Sequence, residues 1–184
     1  LNVIDDEDAS LLVLPWHPEH RIAHRVFGDL VDEIGRRSPV PIVLGRAHQS
    51  TFARVVLLAP GLNRTERLDI EIGAQVMSQL AIQDDEAEMI VVTEPGLRIE
   101  KLTLPVSYRS VALPDWQETL GPDDLLITTS QHIHHAQRWA DAEAMPSMLV
   151  VAAPFRLRLS GGSAGTTSVS PLGFGAIRRA STPR

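Results

Sequence analysis

Three histidines crowd one stretch of this sequence, His17, His20 and His24 in "LPWHPEHRIAH". If a helix starts by Glu19, His20 and His24 fall one turn apart with His17 in the turn before, so three imidazoles could meet one metal ion. The neighbours oppose that chemistry. Arg21 and Arg25 bring positive charge beside the would-be ion, and only Glu19 offers a carboxylate to orient a ligand imidazole. The expectation is a set of exposed polar side chains and no metal. In "QHIHHAQ", His132 and His135 lie three apart and can share a helix face. A helix N-terminus there lowers histidine basicity and suits contacts with an anion or water.

"GGSAG" (Gly161–Gly165) fits the Gly-x-Ser-x-Gly pattern of serine hydrolases, but no His, Asp or Glu follows Ser163, and "TTSVSPLGFG" is no helix. Its composition is that of a flexible linker. Cysteine is absent, which removes thiolate nucleophiles, thiolate metal sites and disulfides. No nucleophile, base and acid assemble from what is left, so the chain reads as a non-enzyme. "NRT" (Asn63–Thr65) matches a glycosylation sequon, yet Thr65 reads better as a helix cap.

The elements that must position any site follow from apolar periodicity. Buried-strand runs are expected at "SLLVLP" (Ser10–Pro15), "PIVLGR", "RVVLLAPG" (Arg54–Gly61), "EMIVVTEPG", "DDLLITTSQ" and "SMLVVAAP". Another falls in "LTLPVSYRSVALP", which Pro105 interrupts. Between strands, Ile22, Val26, Leu30 and Ile34 mark one face of a helix, and Leu68, Ile72, Val76 and Leu80 mark the buried stripe of another from about Thr65 to Gln83. Strands alternating with helices imply an α/β fold with a mostly parallel sheet.

The 184 residues, 43% of them hydrophobic, are enough for a real core. Net charge is −6, and because residues 155–184 hold five arginines and no acid, residues 1–154 carry −11. An acidic body with 4% aromatics disfavours nucleic-acid binding. No apolar run reaches the roughly 20 residues needed to span a bilayer, and the acidic N-terminus lacks the basic start of a signal peptide. A cytoplasmic setting is expected, and the initial Leu1 reads as the start of a piece of a longer protein.

An internal repeat joins these elements. "DASLLVLPWH…AHRVFGDLVDEIGRRSPVPIVLGR" and "DDLLITTSQH…HAQRWADAEAMPSMLVVAAP" share the order acid, apolar strand, polar turn with histidine, helix, proline, apolar strand. With "ARVVLLAPGLNRTERLDIEIGAQVMSQLA" as an opening segment and "RRSPVPIVLGR" as a closing one, the chain resembles the universal stress protein family. The resemblance implies a closing β-α-β half unit over residues 1–47, a linker at 48–53, an abbreviated full unit over 54–155, and a Gly/Ser/Arg-rich tail at 156–184.

Nucleotide-binding members of that family carry Gly-x2-Gly-x9-Gly-Ser/Thr after the penultimate strand. This chain has Pro15-x2-Pro18-x9-Gly28-Asp29, and proline lacks the N–H that a phosphate requires. Pro60 stands where the family usually has Asp before Gly61. Ordinary ATP binding is therefore not expected. "LLVLPWHPEHR" is also similar to a segment in the cytosolic C-terminal regions of cation/proton antiporters.

That resemblance implies a regulatory domain at the cytosolic face of the membrane. It would work with a membrane-embedded transporter domain, in the same or a separate chain, and bias ion transport; a pH-sensing role for the histidines would suit it. No resident cofactor is required, and an adenine nucleotide or cyclic dinucleotide could occupy the crevice at the strand ends. Candidate contacts are Gly61, Asn63 and Arg64 after one strand, Val92 and Thr93 on the next, Thr128, Thr129, Ser130 and His132 after another, with His17 and Arg21. The exposed sheet edge left by a half unit implies a homodimer. The alternative is a free-standing scaffold of the same family that dimerises without ligand.

Overall fold

The computed structural model describes residues 10–15, 33–34, 37–47, 49–59, 61, 66–83, 86–94, 107–116, 118–129, 131–133 and 146–154. Seven strands form one sheet: β1 (Leu12–Pro15), β2 (Ile42–Arg46), β3 (Arg54–Ala59), β4 (Glu88–Thr93), β5 (Arg109–Ala112), β6 (Asp124–Thr129) and β7 (Ser147–Ala152). Helix α1 (Arg67–Gln83) connects β3 to β4. The strand order is β1-β2-β7-β6-β3-β4-β5, and every neighbouring pair is parallel except β2 with β7. The expected α/β fold with a mostly parallel sheet is present.

The central strands are apolar without alternation because both of their faces are covered. On one face Val55, Leu57, Val91, Leu125, Ile127 and Val151 pack against α1. On the other, Val56, Leu58, Ile90, Val92, Leu126 and Val150 gather with Trp116 and Leu120. Ile34, from the expected stripe of the first helix, packs on that second face. The other three members of that stripe lie outside the described residues.

Helix α1 is seated differently from its apolar spacing. Leu68, Val76 and Leu80 are only half-buried, while Ile70, Ile72, Gly73, Ala74 and Met77 are buried. Gly73 is the reason. A Cβ there would lie 2.9 Å from Leu57 Cδ1 and 3.3 Å from Ile127 Cγ2, so the bare backbone lets the helix settle onto β3 and β6. Of the expected stripe, Ile72 is buried, and Leu68, Val76 and Leu80 pack half-buried against the same core.

The antiparallel seam was not legible in the sequence. β2 meets β7 with Ile42 opposite Ala152, Leu44 opposite Val150 and Arg46 opposite Met148. Gly45 faces Leu149 across it, and a Cβ on Gly45 would come within 2.8 Å of Leu149 Cδ2. The ladder is symmetric about Leu44 and Val150. The parallel pairs on its two sides match in register, Leu12 beside Ile42 and Leu126 beside Met148.

One expectation fails at β1. "SLLVLP" reads as a buried strand, but Leu12 and Leu14 are half-buried, and Val13 is 53% exposed. β1 is an edge strand, bonded to β2 alone among the described strands. Pro15 is its last residue, opposite Gly45.

Candidate functional site

Chain order reverses between β3 and β6. From β3 the chain runs outward through β4 to β5, then returns to the other side of β3 for β6 and β7. In open parallel sheets the loops after two such strands diverge to opposite faces, leaving a crevice at their carboxyl ends where ligands bind. Thr93 pairs with Ala59 in the ladder, and Thr129 lies two residues beyond the Leu57–Ile127 pair, so Thr93, Ala59 and Thr129 form one row across β4, β3 and β6. Alternation along the strands turns all three toward the α1 side, where Ala59, Val91 and Ile127 belong to the core.

Glu66 and His132 cross this reversal. Glu66 lies in the loop after β3 and begins α1, its carbonyl accepting the Ile70 N–H at 2.9 Å. His132 follows β6 in a turn closed by its own N–H to Thr129 O at 3.1 Å. Their side chains meet, His132 Nε2 to Glu66 Oε1 at 3.0 Å, with 16% and 5% of the side chains exposed. Gly61 adjoins them, since a Cβ built on it would be 3.8 Å from Glu66 Oε2.

Asp69, in the first turn of α1, is fully buried. Its Oδ1 accepts the Ala153 N–H just past β7 at 2.6 Å. Two carboxylates of the chain therefore occupy the start of α1, where the N–H groups and the macrodipole favour negative charge. A phosphate brought there would meet the negative charge of Glu66 and Asp69.

Thr93 and Thr129 are buried, and Thr129 Oγ1 has no hydrogen-bond partner among the described residues. Thr128 is fully buried on the opposite face with Oγ1 3.5 Å from Thr129 O. Val92 is core on that same face. Of the expected contacts, Gly61, Thr93, Thr129 and His132 come together on the α1 side of the strand ends. Val92 and Thr128 point away from that side. Asn63, Arg64, Ser130, His17 and Arg21 lie outside the described residues, as do Pro18, Pro60 and Thr65.

Hydroxyl, imidazole and carboxylate thus occur near one another in Thr129, His132 and Glu66. They do not form a nucleophilic relay, because Thr129 is 1% exposed and its Oγ1 bonds to neither ring nitrogen. Among the described residues no group of three or more His, Asp or Glu is disposed to hold a metal.

Glu66 and Asp69 were missed from the sequence. The available signal was an acid one turn ahead of Gly73 on the helix face that the sheet covers, a place where a carboxylate needs a buried donor.

A second polar cluster sits at the opposite, amino-terminal edge. Arg54 donates from Nε and NH2 to the two Asp124 oxygens at 2.8 and 2.5 Å, from NH1 to Glu118 Oε2 at 2.6 Å, and from NH2 to Thr119 O at 3.1 Å. Arg109 bridges Glu118 Oε1 at 3.0 Å and Glu88 Oε1 at 2.7 Å. The hydrogen bonds from Arg54 to Asp124 and from Arg109 to Glu88, followed by those to Glu118, hold both guanidinium groups above the ordinary arginine pKa. This network clamps β3, β4, β5 and β6 together, away from the crevice. No helix among the described residues is long and apolar enough to cross a membrane.

Compared with protein-family models, curated proteins and solved structures, the chain matches none.

Proposed function

We propose that this chain is a non-catalytic regulatory domain of universal stress protein type, serving a cation/proton antiporter from the cytosolic side. The observation that carries the ligand-sensing part is the crevice at the β3/β6 reversal, where the loops after both strands are tied by Glu66 and His132. A ligand that parts or tightens this tie changes the relative position of two loops. It regulates only so far as it binds one arrangement better than the other, by about 1.4 kcal/mol for each tenfold difference in affinity.

The symmetric seam between β2 and β7 supports the layout of a closing half unit, residues 1–47, joined to a fuller unit, residues 54–155. The carboxylates at the start of α1 favour a ligand that does not put a triphosphate there, such as adenosine monophosphate or a cyclic dinucleotide. Titration calorimetry of the intact chain is expected to give saturable heat with one of these and none with magnesium–ATP. Heat from magnesium–ATP alone would overturn the reading. For the antiporter, cation/proton exchange in membrane vesicles is expected to respond to the ligand with the domain present and lose that response when it is deleted. The place of β1 at the edge of the described sheet favours a second reading, a scaffold that works by association without ligand.

A further inference from the structure

Within the sheet, the pair β1–β2 meets the other five strands along one line, β2 against β7. β7 has the more to hide there. Ser147 to Ala152 carries no charge, and all of it but Leu149 is buried. Laid bare at an edge, an apolar strand of this kind is a template for pairing with another chain. β2 is therefore a cap on β7, supplied by the chain itself.

The register says what fits when the cap is off. The seam is symmetric about Leu44 and Val150, and the parallel pairs beside it, Leu12 with Ile42 and Leu126 with Met148, obey the same two-fold. A second β7 can take the place of β2, antiparallel, with Val150 opposite Val150 and Met148 opposite Ala152. Helix α1 leaves room for this, because Gly73 seats it over Leu57, Ile127 and Val151 of β3, β6 and β7. Two such helices would stand about three strand spacings apart, roughly 14 Å, and packed helices need only about 8–10 Å. β2 has no such option. Two copies of β2 in this register would set each Arg46 opposite Ile42, on the side of the sheet where Ile42 and Leu44 are buried.

Side-chain fit holds the cap in place. Leu149 faces the bare backbone of Gly45 across the seam, whereas in a second β7 it would face Val151. We propose that the β1–β2 half is an autoinhibitory cap: it seals β7, and its release joins two copies of the chain through β7 with Val150 on the two-fold axis.

The proposal rests on strand register and not on the ligand reading, so either can fail alone. The chain has no cysteine, so Val150→Cys places a single thiol at the axis. Facing residues of antiparallel strands have Cα atoms about 4.5–5.5 Å apart, within disulfide reach. The full-length Val150→Cys chain is compared under mild oxidation with the same chain carrying Gly45→Leu, which crowds Leu149 and loosens the seam. The expected result is about fivefold or more disulfide-linked dimer from the loosened chain, with β3 and β6 amides still slow to exchange. A urea series on the Val150→Cys chain with Gly45 kept is the second arm. There β2 amides should exchange at lower urea than those of β6, and the linked dimer should appear in that interval. This arm decides the matter where Gly45→Leu unfolds the sheet or leaves the seam closed. The proposal is overturned if β2 exchange rises without a dimer, if a dimer forms whose thiols do not join, or if β2 and β6 amides are released only together. Equal amounts of linked dimer from the two chains would also overturn it.

Discussion

His132 Nε2 stands 3.0 Å from Glu66 Oε1, joining the loop after β6 to the start of the helix after β3 across the point where chain order reverses. Sixty-six residues separate the two in sequence.

Both side chains are largely buried, so removing either leaves the other short of a partner. His132→Ala and Glu66→Ala are each expected to cost about 1–3 kcal/mol in urea denaturation. The double variant should cost less than the sum, and strict additivity would show that the pair is not coupled.

Asp69→Ala takes away the acceptor of the Ala153 N–H at a fully buried position. A loss of about 2–3 kcal/mol is expected from the orphaned donor and the emptied space. Asp69→Asn keeps an oxygen and should lose less. The same denaturation measurement separates the two variants.

Gly73→Leu forces a side chain into the contact of α1 with Leu57 and Ile127. Overpacking of this kind costs about 1–3 kcal/mol, more than the gain of about 1 kcal/mol from replacing a helical glycine. A lower thermal midpoint is the expected outcome.

Arg54→Ala strands Asp124, whose side chain is 4% exposed, and should cost about 3 kcal/mol. Arg109→Ala breaks pairs that are 40–48% exposed and should cost less than about 1 kcal/mol. Because the Arg54 pKa is raised on folding, its contribution is complete below the unfolded arginine value and is lost only as pH rises through the folded one. The cost of Arg54→Ala should therefore stay constant from roughly pH 6 to 9, checked by denaturation across that range.

Much of the architecture was legible. The strands at Arg54–Ala59, Glu88–Thr93, Asp124–Thr129 and Ser147–Ala152 lie within the apolar runs that announce them, and α1 ends at Gln83 as its periodicity implies. The site was legible only in part. Gly61, Thr93, Thr129 and His132 were expected at the strand ends, but Glu66 and Asp69 were not, because acids at a helix start ordinarily face water. They are buried because the start of α1 lies against His132 and against Ala153 just past β7.

The sequence by itself determined where chain becomes strand or helix, since that choice rests on the local spacing of apolar residues and on Gly and Pro. Strand order, the antiparallel seam at Leu44 and Val150, the exposure of Val13 and the joining of Glu66 to His132 were decided by the tertiary structure. Backbone hydrogen bonds between strands are the same for almost any residues. Which edges meet depends instead on how both sheet faces are covered at once, and no local pattern records that sum.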